Sequence, residues 1–315
     1  MKIGQVKQKS TNKKSLKRRI LRNYELYLFL MPAVILLIVF DYLPMFGVSM
    51  AFQNFKPYTG FFGSEWVGLQ NFKTFLSMPK FLTILKNTLG LSLYSIFAGF
   101  PLPIILALAL NAIPFPKFKR TVQTVSYAPH FISTVVLVGM INIFFAPSTG
   151  IVKNLLESVG LLDGHLGVLM SEKAFPHLFV WTGVWSSLGW DSIIYLGALA
   201  GVDQSLHEAA IVDGASKLKR MWYIDIPSIL PTIIILFIMR TGSVLGVGFE
   251  KTFLMQNSFN INVSEVISTY VYKVGIGQGQ YSLSAAIGLF NSLVNFIILM
   301  IVNAISKKYS EVSLF

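Results

Sequence analysis

The chain has 315 residues, of which 54% are hydrophobic and 13% charged, and its mean hydropathy is +0.63. That balance excludes an ordinary soluble domain, and the absence of cysteine excludes disulfides and thiolate metal sites. A net charge of +12 would suit nucleic acid, but the cations flank long apolar stretches, where they serve membrane topology and anionic lipid headgroups instead.

Residues 1–24 form a basic tail with nine lysines and arginines before Tyr24. No small-residue cleavage site follows, so the next apolar stretch reads as an uncleaved span and not as a signal peptide. Spans are expected near 27–50, 85–112, 122–146, 176–200, 228–248 and 283–305, within a permease-sized unit of 25–310 and a short tail at 311–315. Three of them sit in charge-free runs (Asn87–Phe115, Thr121–Val152 and Val274–Ser306), each longer than the ~20 residues that cross a bilayer. The other three carry one intramembrane charge each: Asp41, Asp191 and Arg240. The fold class is therefore an all-α integral membrane protein with six helices.

Between the first two spans, residues 51–84 read as an external loop. Its SEWVGLQNF stretch (64–72) has Trp66 and Phe72 placed as interfacial anchors. A second external loop covers 148–175. A third, 249–282, holds a short helix around Val263–Lys273 and then a glycine-rich turn. Lysine and arginine set the orientation. The tail, the 111–121 loop, the 205–227 segment and the C-terminus hold 17, against 8 in the longer loops opposite. Both termini are thus expected in the cytoplasm.

Residues 205–231, SLHEAAIVDGASKLKRMWYIDIPSILP, form a polar island between two spans. Ser205 and Glu208 match a capping box, which predicts a helix from Leu206. Gly214 supplies a turn that needs positive φ, and Ser216 can cap a second helix running to Pro227, where a fresh span begins. Ala209 and Ala210 leave a helix face nearly bare, so a partner can approach its backbone. Glu208 near the helix start can meet a partner arginine. Lys217, Lys219 and Arg220 form a basic flank, suited to an acidic groove edge or to simple positive-inside anchoring.

Bond-making chemistry is hard to find. The chain contains no Gly-Lys pair, hence no Walker A loop, and His207-Glu208 begins a zincin pattern that Ile211 breaks. Arg240 is the leading candidate for a polar solute path, because an arginine at a helix centre costs ~2.5–3.5 kcal/mol unless it faces a cavity or a partner. Asp191, Trp190, Asn87 and Asp41 are weaker candidates. The competing role for Arg240 is a structural ion pair, and for Asp41 an interfacial or capping role.

The island resembles the EAA loop of permease subunits of type I binding-protein-dependent ABC importers. That pattern is Glu-Ala-Ala, three residues, Gly, nine residues, Ile-x-Leu-Pro. Glu208, Ala209, Ala210, Gly214, Ile224 and Pro227 meet it, with Asp213 beside the glycine and Ile226 in the leucine position. Similarity extends to the carbohydrate-transporting, LplB-like branch through Phe40-Asp41-Tyr42-Leu43-Pro44, Asn87-Thr88, Pro129-His130-Phe131-Ile132-Ser133 and Gly189-Trp190-Asp191. Gly248-Phe249-Glu250 and Tyr270-Val271-Tyr272 also fit. His207 departs from it, standing where tyrosine is common. The resemblance implies a type I permease fold in a bacterial cell membrane and a heterodimer with a second permease. It also implies two ATPase subunits docked at 205–227 and an extracytoplasmic solute-binding protein. The cargo would be a sugar or oligosaccharide, with an acidic polysaccharide-derived oligosaccharide as one candidate. ATP and Mg would be held by the ATPases, leaving this chain without a cofactor. An ion-coupled carrier and an intramembrane transferase are the alternatives from other classes.

Overall fold

The computed structural model describes residues 22–146, 149–158, 168–310 and 312–315. The basic tail up to residue 21, with eight of the 17 lysines and arginines expected on the cytoplasmic side, lies outside them, as does His165. The chain divides into two units, Met1–Ser49 and Met50–Phe315.

The first unit is built on helix α1 (Tyr24–Phe52), which passes through a π-helical turn at Ile38–Tyr42 and tightens to 3-10 geometry from Leu43. Asp41 sits in the π turn and is solvent-exposed. α1 is apolar on all sides, as a lipid-facing helix is.

The second unit opens with a two-stranded ladder, β1 (Gln53–Asn54) against β2 (Glu65–Trp66). The expected interfacial piece at 64–72 is therefore part strand, part turn at Gly68 (φ +58°), and part the start of a short helix, Gln70–Leu76. Phe72 faces inward on Phe52 (centroids 5.4 Å apart), while Trp66 stays exposed.

Helix α2 (Phe81–Ala112) is long enough to cross a bilayer and loosens at Phe100, because Pro101 and Pro103 contribute no N–H to the ladder. The expected straight span at 122–146 is instead broken. Helix α3 (Pro116–Tyr127) runs into a 3-10 turn at Ala128–Phe131 that contains Pro129. The chain extends through Ile132, and helix α4 (Thr134–Phe144) leaves at 96°. Ser133 caps α4, its Oγ accepting from the Val136 N–H at 3.3 Å. Pro129 withdraws a backbone N–H from the helical ladder and Ile132 is extended, and together they break the helix.

Helix α5 (Ala174–Ala200) packs on both arms of α2, on α3 and on the fifth-span helix. It is long enough to span, and it carries three serines, His177 and Asp191. Helix α6 (Gln204–Val212) carries the Glu-Ala-Ala sequence, and helix α7 (Lys217–Thr241) follows. α7 ends at Thr241, not at 248, and residues 242–248 are turn and coil ahead of helix α8 (Phe249–Met255). The glycines at 242, 246 and 248 account for the early stop. Gly242 lies against the last helix, α9 (Tyr281–Ser310), where an added Cβ would come within 2.7 Å of Leu299 Cδ1. At Gly246 a Cβ would meet only its own turn. The expected helix near 263–273 is Ile267–Tyr272, continued by a π turn to Gly277 and closed by Gly279 at φ +69°.

Among the described residues four helices (α1, α2, α7 and α9) are long and apolar enough to cross a membrane, and the bent pair α3–α4 can form a fifth crossing, against the six spans expected. Three apolar clusters hold the second unit together, centred on Val180 and Leu137, on Ile287 and Phe75, and on Ile229 and Leu108. Because lipid tails are as apolar as these residues, close packing and not water exclusion has to join the helices.

With no native cysteine in the chain, single-cysteine labelling tests the orientation directly. Phe259→Cys and Tyr309→Cys both place a thiol at an exposed site. A membrane-impermeant maleimide applied to intact cells should modify the first and spare the second. The reverse pattern would turn the topology over.

Candidate functional site

Two groups of residues can carry function in the second unit, one at the 203–227 turn and one along the polar side of α5.

The turn is built by its caps. Asp203, not Ser205, is the N-cap of α6: its Oδ1 accepts the Ser205 N–H at 2.9 Å, and the helix starts at Gln204. A carboxylate is the stronger cap because it also meets the positive end of the helix dipole. These hydrogen bonds hold the Asp203 carboxyl below its usual range. At the other end, Gly214 N–H reaches Ile211 O (3.0 Å) and Ala215 N–H reaches Ala210 O (2.8 Å). That pair of bonds is a Schellman motif, and Gly214 at φ +75° occupies its left-handed position. Ser216 then caps the next helix through Lys219 N–H (3.4 Å), as expected.

The second expected helix does not stop at Pro227. α7 continues through it without a break, using a π turn at Met221–Asp225 in which Ile226 N–H bonds Met221 O. The widened turn shifts the register just where Pro227 would leave a carbonyl unpaired, so the span and the turn form one rod. Glu208, Ala209, Asp213, Gly214 and Pro227 are exposed, while Ala210 and Ile224 are half-buried. Leu206, Val212, Leu218 and Trp222 are exposed around them. Behind this face lies a cavity of about 250 Å³ lined by Asn111, His207, Glu208, Lys217, Arg220 and Asp225.

Along α5, Arg240 and Asp191 come together. Arg240 Nη1 is 3.4 Å from Asp191 Oδ2, and each side chain is about one-third exposed (37% and 32%). Gly99 makes room for the guanidinium, since a Cβ there would come within 3.1 Å of Arg240 Nη2. Arg240 borders two cavities. One of about 110 Å³ also includes Asp191 and Tyr195, and one of about 150 Å³ includes Ser92, Ser95, Phe179 and Ser243. It therefore forms an ion pair within the chain and still presents itself to open space.

The remaining candidates are not gathered there. Trp190 stacks on His130 (4.3 Å, 4° between planes), with Phe131 edge-on at 5.9 Å, beside the break between α3 and α4. Asn87 donates both amide protons to backbone carbonyls, Asn262 O at 2.8 Å and Glu265 O at 3.0 Å, so it ties α2 to the 261–266 loop. Asp41 belongs to the first unit.

Sequence reasoning missed three groups. His207 Nε2 lies 3.2 Å from Asp225 Oδ1. Lys251, on α8, donates to Phe179 O at 2.6 Å and lies 4.8 Å over the Phe179 ring, with burial pushing its ammonium down to about 8. Trp181 Nε1 donates to Tyr94 Oη, which also meets His177 Nδ1, both at 2.8 Å. Only the last had a usable signal, the four-residue spacing of His177 and Trp181 on one helix face.

Residues 99–311 match the family described as "Binding-protein-dependent transport system inner membrane component". Protein LplB of Bacillus subtilis is 44% identical over 294 residues, covering 93% of this chain and 92% of that protein. The polygalacturonan/rhamnogalacturonan transport system permease protein YteP of the same organism is 39% identical over 303 residues, covering 96% and 94%. Among solved structures, a chain of a bacterial alginate ABC transporter, in complex with alginate pentasaccharide-bound periplasmic protein, superposes with a TM-score of 0.86 at 36% identity. The match covers 96% of this chain and 100% of that one.

Proposed function

Because the chain belongs to the family of binding-protein-dependent transport system inner membrane components, we infer that it is one of two permease subunits lining the pathway of an ABC importer for oligosaccharides. ATP hydrolysis then resides in two partner ATPases, which hold ATP and Mg and dock on the exposed face of α6 and the turn at Gly214. A solute-binding protein delivers the sugar from outside, and both termini face the cytoplasm. The observation that carries the docking assignment is the capped, alanine-bearing α6 joined through Gly214 to a span, with Glu208 and Ala209 exposed among the described residues.

The cargo we favour is an acidic oligosaccharide. The similar proteins are described as handling alginate and polygalacturonan or rhamnogalacturonan, all sources of uronic acids. Two cations of this chain support that reading independently. Arg240 borders the serine-lined cavity, and Phe179, another of its walls, carries Lys251 on its carbonyl and ring. Hydroxyls suit a sugar's hydroxyls, and a guanidinium can hold a carboxylate bidentately once it leaves Asp191.

Uptake by a reconstituted complex decides both points. ATP hydrolysis that rises only with binding protein plus sugar supports an importer, whereas uptake driven by an ion gradient without ATP would favour a secondary carrier. In that complex Arg240→Gln should raise the KM for an acidic oligosaccharide about tenfold, a loss of about 1.4 kcal/mol. Neutral oligosaccharide transport should change little. Equal behaviour toward both substrates would take Arg240 out of the path.

A further inference from the structure

His207 and Asp225 are two ionisable side chains of the coupling turn that are largely enclosed, at 15% and 5% exposure. They lie on different elements. His207 is on α6, one residue before the exposed Glu208, and Asp225 closes the π turn within α7. Their contact, 3.2 Å from His207 Nε2 to Asp225 Oδ1, is an ion-pair approach between side chains of the two helices, beside the main-chain connection through Gly214. Glu208, Lys217 and Arg220 line the same cavity, so the pair sits in a mixed field with cations on the α7 side and a second carboxylate on the α6 side.

A helix hinged at glycine would rock freely if nothing else held it. We propose that His207 and Asp225 are positioning residues that form a strut, transmitting any displacement of α6 to the rod of α7 and so to Arg240. The inference rests on α6 being the ATPase-docking element. The mechanical logic follows from burial: opening the contact would leave the Asp225 carboxylate enclosed without its facing imidazole, which is costly, so the two helices move together and not separately. α7 continues unbroken from Asp225 to Thr241, which places Arg240 fifteen residues along the same rod, about 22 Å at 1.5 Å per residue. Without the strut, the ATPases could still bind α6 and cycle, but their movement would be absorbed at Gly214.

The signature is therefore slippage, read as sugar imported per ATP hydrolysed by the assembled complex in vesicles. His207→Phe and Asp225→Leu should each lower that ratio about tenfold while hydrolysis stimulated by the loaded binding protein stays within about twofold. The double variant should be no worse than either single one, because both remove the same contact. His207→Gln keeps an N–H donor and should recover most of the ratio. Uptake and hydrolysis falling in parallel, or additive losses in the double variant, would overturn the strut. A second measurement does not depend on those variants. Combining His207→Cys with Asp225→Cys, in a chain with no other cysteine, allows a short bismaleimide to join the two positions. Uptake should survive the cross-link, and a block on cross-linking would show that α6 and α7 have to separate. Normal uptake by a complex carrying Ala209→Trp would instead remove the docking reading, so the two failures are distinguishable.

Discussion

Ala209→Trp should abolish uptake and sugar-stimulated ATP hydrolysis while leaving the subunit folded and inserted. The reasoning separates the chain's own stability from its contact with a partner. Ala209 is exposed on α6, so an indole there meets no obstacle among the described residues. A tryptophan adds up to ~250 Å² of surface, and a partner packed against the Ala209 methyl leaves no room for it. A loss of about 100-fold in uptake corresponds to about 2.8 kcal/mol of lost docking, well within what one misplaced aromatic can cost at a packed contact. Ala210 is the poorer test, since it is half-buried and its carbonyl accepts the closing Schellman bond. Normal uptake by Ala209→Trp, with membrane levels verified by blotting, would place the ATPase contact elsewhere.

Gly189→Leu should prevent the complex from accumulating at all. At this position α5 and α3 touch backbone to backbone: a Cβ on Gly189 would drive into the Ser126 carbonyl and also meet the Tyr127 ring. The obstacle is main chain, which cannot rotate away as a side chain can. Relief requires the helices to part, and overpacking of this sort costs ~1–3 kcal/mol even where side chains alone must move. Close approach at glycine is a principal means of joining helices in lipid, so the separation forfeits contacts along both of them. Gly189→Ala should retain partial assembly at reduced thermal stability. Thermal unfolding in detergent followed by size-exclusion fluorescence would check the order, and wild-type stability in either variant would disprove the contact.

Much of this was legible in the sequence, and the reasons differ by element. The turn at Gly214 could be read because left-handed backbone is chemically specific to glycine, and the Ser216 cap because its pattern is local. The Glu-Ala-Ala assignment rested on fixed spacing within one turn of chain. Asp203 was overlooked as the cap because Ser205 and Glu208 satisfy a capping box equally well on paper. The three-dimensional path of 201–204 decides between them. The fusion of the second turn helix with the fifth span was not legible, since a proline normally announces a start and only a π turn allows it to be passed. Hydropathy marked the third span as one piece. It averages over a window and cannot see that Pro129 and an extended Ile132 fold the segment sharply.

The site was less accessible than the fold. Arg240 and Asp191 were singled out because charge in an apolar run is expensive, and that expense is visible residue by residue. Their pairing across 49 positions was not visible. The same holds for His207 with Asp225 and for Lys251 with Phe179, each a contact between elements that only tertiary packing brings together. Asn87 shows the opposite error: an amide at a span's edge looked available to a sugar and is committed to two carbonyls.

The bend between α3 and α4 limits how far either arm can reach across a bilayer. α4, with 11 residues, reaches only about 16 Å at 1.5 Å per residue. A hydrocarbon core is ~30 Å deep, so this arm cannot seal the bilayer by itself. The kinked peptide groups around Ile132 need hydrogen-bond partners that acyl chains do not provide, which keeps lipid away from that point and admits protein or water. Beside the stacked pair of His130 and Trp190, then, the break in the backbone has to be covered by protein or water and not by acyl chains.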